Sequence, residues 1–428
     1  MDNVAQFTES LRDDLAAWTK ATEIPPLNKH ASQVAAIVLQ LTEALASLGE
    51  LKDSQPVNVL EQAIGDYLHI WDFFRTKLAM RFVPWYQPLT AAADDLAWAA
   101  FGPVRAAAHD RMKRELREPP LVYYSREVIP FTVTRGQNYQ NLLPRGGLWT
   151  EQSEAVADNL VVPVVSLPWQ RFTSLSVLLS VPHEVGHVLV SDLDLLPILG
   201  ERLAAADVPQ SHQPIWSAWL EEVFADVFGA VVCGGSVALS LVGQLGTDSA
   251  SASSLPTADA GPLRWGEYPP VALRAKMILH VAERRADLRD QPRPLLPDGG
   301  PAEFDDDVEA VASALLDGEI PQIAGRLEDL YQPVDGPALR DDIGRLSRGR
   351  NPQAGDVRIV IAAAATVEHA SPAEYARYSV HDLALTRATK IRDTTRRGRD
   401  PKQASIDERD RQAGRTLAGL LTSHGADP

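Results

Sequence analysis

Apolar residues in the first quarter of the chain recur at the three- and four-residue steps of a helix. Val57, Leu60, Ile64, Tyr67, Trp71, Phe74 and Leu78 fall on one face, so the spacing predicts a helix whose stripe packs against neighbours. Residues 4–18 and 31–48 repeat the pattern. Pro84 and Pro88 interrupt it, because proline lacks the amide donor a helix interior needs, and residues 89–116 resume it. The texture then changes. Residues 121–134 are rich in β-branched and aromatic side chains and read as a strand, and 160–167 as a second. Residues 136–147 between them read as a loop. Helical spacing returns at Phe172. Two stretches rich in Gly, Ser and Pro, 243–262 and 286–301, read as a loop and a linker. Residues 305–316, 320–331, 358–367, 373–390 and 405–421 read as further helices. The pattern predicts an α+β, predominantly α-helical fold in three parts: a helical region at 1–117, a core at 118–290 and a helical region at 291–428.

Composition narrows the function classes. With 45% apolar residues in 428, the chain has ample material for a core. Its net charge of −16 opposes nucleic-acid or anionic-membrane binding, which needs clustered Lys and Arg. The one cysteine, Cys233, fits a reducing compartment. The N-terminal segment carries acids where a signal peptide is basic. No unbroken apolar run approaches the roughly 18 residues of a membrane span. A cytoplasmic protein, with neither membrane nor nucleic acid as partner, is expected.

Residues 183–187 read His-Glu-Val-Gly-His. On a helix, His183 and His187 stand at i and i+4, so both imidazoles project from one face and can share one metal ion. Glu184, one residue on, sits beside that ion and can accept a proton from water there. Pro182 requires the helix to begin near Ser180 or to kink. A catalytic zinc usually has three protein ligands and one open position. The third can come from Glu222, which with Asp226 forms a second i, i+4 pair on an otherwise apolar helix. Burying two carboxylates there is costly without a cation. Glu222 would ligate, and Asp226 would orient a ligating histidine. Glu221 and His212 are rival third ligands.

H-E-V-G-H followed by E-E-V-F-A-D-V-F-G resembles the gluzincin metallopeptidases, whose second signature is Glu-x-x-x-Asp on a helix. Against the thermolysin-type run, Glu222 falls on the ligand Glu, Asp226 on the supporting Asp and Gly229 on the closing Gly. Glu221 falls where that family has Asn, and Ala225 where it has Ser. A shorter segment, Tyr268-Pro-Pro-Val-Ala-Leu-Arg274, resembles the H-P-P-x-x-x-R element of zincins of the CAAX-prenyl-protease type. In that family the His faces the reacting carbonyl oxygen. Tyr268 replaces it, and a phenol can also donate to an oxyanion. Arg274 reads as an oxyanion contact or a structural ion pair. His280 is a further candidate for contact with the transition state. These resemblances imply a zincin-like core and a zinc-dependent peptidase. Zn2+ would be its cofactor, Glu184 its general base, and a peptide or protein its substrate. The alternative is a metal-binding regulatory or sensor protein without turnover.

Overall fold

A computed structural model describes residues 3–135, 161–245, 268–286, 302–392, 397–398 and 404–422. Four helices open the chain: α1 (Asn3–Ala21), α2 (Ala31–Glu50), α3 (Val57–Ala79) and α4 (Gln87–Met112). Strands β1 (Leu121–Ser125), β2 (Phe131–Val133) and β3 (Val164–Pro168) follow. The site helices come next: α5 (Ser180–Leu193), α6 (Leu196–Ala205), α7 (Gln213–Ala218), α8 (Leu220–Cys233), α9 (Ser236–Leu245) and α10 (Val271–Arg285). The last group is α11 (Val308–Leu316), α12 (Pro337–Leu346), α13 (Val357–Ala370), α14 (Pro372–Arg377), α15 (Val380–Ile391) and α16 (Ala404–Thr422). The fold is mainly helical with one small sheet, as the hydrophobic pattern predicts. The expected loop at 136–147, and most of the expected loop at 243–262 and linker at 286–301, lie outside the described residues.

The sheet is mixed, in the order β1-β3-β2, with β1 parallel and β2 antiparallel to β3. It divides two apolar cores. Side chains alternate across a strand, so Leu121, Tyr123, Val133 and Val164 face a core built by α1, α2, α3 and Leu417 of α16. Val122, Tyr124, Val165 and Leu167 face a larger core that takes in α4 and the helices from α5 to α15. The buried residues therefore group differently from the three expected regions. The fourth N-terminal helix belongs with the central core, and the last helix returns to the first three.

The 121–134 stretch is two strands, broken at 126–130. Residues 320–331 are not one α-helix but two short 3-10 turns, Pro321–Ile323 and Glu328–Leu330. Between them Ala324 turns left-handed at φ 46°, and Ile320 donates to Gly325 O at 2.9 Å. Residues 373–390 split into α14 and α15 around Ser379, at φ 49°. Within α2 and the turn before it, Leu27–Glu50 is long and apolar enough to cross a membrane by length and composition, though most of it is buried within the protein.

Candidate metal centre

The site is made by the crossing of α5 and α8. Helix α5 begins at Ser180, so Pro182 lies in the first turn, where backbone amides have no partner within the helix. The two helices touch almost backbone to backbone. A Cβ on Gly186 would meet Ala225 Cα at 2.9 Å, and one on Gly229 would lie 3.6 Å from the His183 amide nitrogen. Small residues at these three positions seat His183 and His187 directly over Glu222.

The Nε2 atoms of His183 and His187 are 3.3 Å apart. Glu222 spans them, with Oε2 3.6 Å from His183 Nε2 and Oε1 3.4 Å from His187 Nε2. Ligands held tetrahedrally at zinc distances of about 2.0–2.2 Å lie about 3.3–3.6 Å apart. The two imidazole nitrogens have that spacing, and Glu222 offers an oxygen within 4.8 Å of both, so the three side chains are compatible with an ion held between them. Among the described residues they form the one group of His, Cys, Asp and Glu whose donor atoms converge in this way.

Each histidine has its own carboxylate behind it. Asp226 Oδ1 lies 3.0 Å from His183 Nδ1. That is close enough for an ion pair, though not aligned as a hydrogen bond, and leaves this buried nitrogen without one. Glu221 Oε1 lies 3.0 Å from His187 Nδ1. With Nδ1 turned to a carboxylate, Nε2 is the nitrogen left to bind a metal. Glu221 thus stands as an acceptor behind the second histidine. The small residue at 225 is what lets α8 approach Gly186.

Arg274 enters from α10. Its Nε and Nη2 donate to the two oxygens of Asp226 at 2.7 and 2.9 Å, and Nη2 is 3.4 Å from Glu222 Oε2. The structure thus gives Arg274 the part of a buried clamp on the carboxylates. Burial disfavours a charged Asp226, but Arg274 and His183 outweigh it and hold the carboxyl far below its usual range. Burial likewise works against a charged Arg274, and Asp226 with the neighbouring carboxylates raises it further still. Burial also opposes protonation of His187. There the hydrogen bond to Glu221 and the charges of Glu222 and Glu184 win, raising it to about 9 in the ion-free protein. The bond from His187 in turn lowers Glu221. Ion binding at His187 therefore displaces a proton.

Glu184 is buried, at 5% exposure. Thr132 of β2 donates to its Oε2 at 2.6 Å, with the Glu184 carbonyl oxygen 3.1 Å away. Thr132 pairs with Val165 in the sheet and so faces α5, while its neighbour Val133 faces the other core. Strand alternation could have placed its side chain, but nothing in the sequence names Glu184 as its partner.

All these groups line one cleft of about 960 Å³. One wall is the edge strand β2 and the segment before it, including Val128 and Ile129. The other is the face of α9 that carries Val237, Ser240, Leu241 and Gln244. Tyr268 stands at the mouth, 59% exposed. Neither His280 nor His212 is among the described residues that line the cleft: six residues beyond Arg274 is about 240° around the helix, and His212 Nδ1 is held by Asp307 at 2.7 Å. Comparison with known proteins adds no further likeness: no protein-family model, no curated protein and no solved structure matches the chain.

Proposed function

We propose that this chain is a zinc-dependent peptidase of the gluzincin type. One observation carries the reading. His183, His187 and Glu222 bring one donor atom each to within 4.8 Å of the others, in the same cleft that holds the buried carboxylate of Glu184. A purely structural zinc has no use for an added base, and a closed site would have no cleft. A zinc ion at this triad supplies a Lewis acid that acidifies water and polarises a carbonyl.

The residues divide the remaining work. A peptide adds to the edge of β2 by backbone hydrogen bonds, alongside α5. Glu184 takes the proton of the attacking water and passes it to the leaving amine. The Tyr268 hydroxyl donates to the oxygen that becomes negative. Asp226 and Glu221 hold the two imidazoles in register, and Arg274 keeps Asp226 ionised beside them.

The test is metal analysis beside digestion of a peptide library. The wild type should hold about one zinc per chain and cleave peptides. Glu184→Gln should keep the zinc and lose activity by about 10²–10⁴-fold. Full activity in that variant would remove Glu184 as the base. Zinc held with no cleavage in the wild type would instead identify a metal-binding regulator.

A further inference from the structure

We infer that Thr132 is the positioning residue for the general base, joining the strand that receives substrate to the group that moves the proton. The inference rests on the peptidase reading above. Three observations lead to it. Thr132 Oγ1 carries one proton and has two acceptors on Glu184, and the charged one is nearer, at 2.6 Å against 3.1 Å. Hydrogen bonds to an ionised acceptor are short and strong, so the proton goes to Oε2. Glu184 is itself buried, so its carboxylate has little water to hold it in place. Finally, Thr132 belongs to β2, whose pairing within the described residues is to β3 on one side, while Phe131, Thr132 and Thr134 line the cleft.

The consequence is a division of the carboxylate. Thr132 engages Oε2, leaving Oε1 to exchange the proton. The same hydroxyl lies against the backbone of α5, so the strand and the metal helix are fixed to each other at the residue that does the chemistry. A group placed this way aligns the base in the transition state and contributes little to ground-state binding. Its loss therefore appears in kcat rather than KM.

The experiment compares wild type, Thr132→Val, Thr132→Ala and Thr132→Ser on one cleavable fluorogenic peptide, with zinc content measured for each. Val keeps the shape and removes the donor; Ala covers the case in which Val does not fold. Loss of a hydrogen bond to a charged group should lower kcat by about 10–100-fold. KM and zinc content should stay near wild type, and Ser should restore most of the rate. In a Glu184→Gln background, Thr132→Val should cost nothing more, because the two residues act as a unit. The inference is overturned by an unchanged kcat, by a Ser variant as impaired as Val, by a change confined to KM, or by additive losses in the double variant. A wild type that holds zinc but cleaves no peptide overturns the peptidase reading and this inference together, an outcome separate from all of these.

Discussion

Two buried clusters in this protein use the same kinds of residue to different ends. Beneath the sheet, His30, Asp94 and Arg81 form a network that closes on itself. His30 contacts Gln33 at 2.6 Å and Asp94 at 3.0 Å. Arg81 donates to Asp94, to Lys77 O and to Val122 O at 2.6–2.8 Å. Asp95 beside it pairs with Lys29, with Arg397 3.7 Å away. Two carboxylates thus meet three cations. At the candidate metal centre four carboxylates (Glu184, Glu221, Glu222 and Asp226) line the cleft, and among the described lining residues one guanidinium, that of Arg274, meets Asp226 and Glu222. The histidines differ as well. Those of the metal centre give Nδ1 to a carboxylate and turn Nε2 toward each other and Glu222. A buried histidine beside an aspartate is therefore not enough to mark a site. Converging nitrogens with a surplus of negative charge are what ask for a cation.

The largest expected contrast is in metal content. His187→Ala should lose the zinc and all zinc-dependent activity, whereas His30→Ala should keep both. Elemental analysis decides it, and equal zinc in the two variants would erase the distinction drawn here. Stability should show the reverse order. Asp94→Asn leaves Arg81 buried without its charge partner, a change that typically costs about 3–5 kcal/mol. It should lower the thermal midpoint strongly and leave zinc affinity alone. Asp226→Asn should weaken zinc binding by about 10–100-fold, read by competition with a chromogenic chelator. Glu221→Gln should do less, because Glu221 is half-exposed and its charge is screened by water. If Glu221→Gln strips the metal while Asp226→Asn does not, the two supporting carboxylates have been assigned in the wrong order.

A smaller test concerns pH. Burial lowers Lys77 to about 7, where its ammonium lies against Phe73 and Tyr123. Between pH 7 and the usual value near 10.5, the unfolded chain binds a proton that the folded one does not. Stability contributed through this group therefore rises with pH across that window and is lowest below pH 7. Lys77→Met should flatten that slope and stabilise the protein at pH 6 by an amount on the order of a few kcal/mol. Parallel denaturation curves for wild type and variant across pH 6–10 would refute it.

The sequence made the candidate metal ligands legible because their spacing is local. His183 with His187 and Glu222 with Asp226 are i, i+4 pairs, and a helix alone puts each pair on one face. The partners of those residues were not legible. Glu221 could be read as a rival ligand because sequence does not say which way a carboxylate next to Glu222 turns. Arg274 could be read as an oxyanion contact because its neighbour Asp226 is 48 residues away. Thr132 lies 52 residues from Glu184, and only the sheet brings it there. Helices were readable wherever an apolar stripe ran unbroken, as in α2, α3 and α13. The reading failed at 320–331, where a left-handed Ala324 stops the first turn and leaves two short 3-10 turns in place of a helix. The grouping into two cores was hidden for the same reason, since it depends on which face of the sheet each helix covers.

The near contact of Gly186 with Ala225 makes the two ligand helices the jaws of a caliper. Its opening is gauged by main chain against main chain rather than by long, yielding side chains. Such a jaw has little give: under the proposed function an ion of the right radius would meet its donors already in place, while a larger one would have to wedge two helices apart within a packed core. Selection by ionic size would then be a property of helix packing, settled at Gly186, next in sequence to His187.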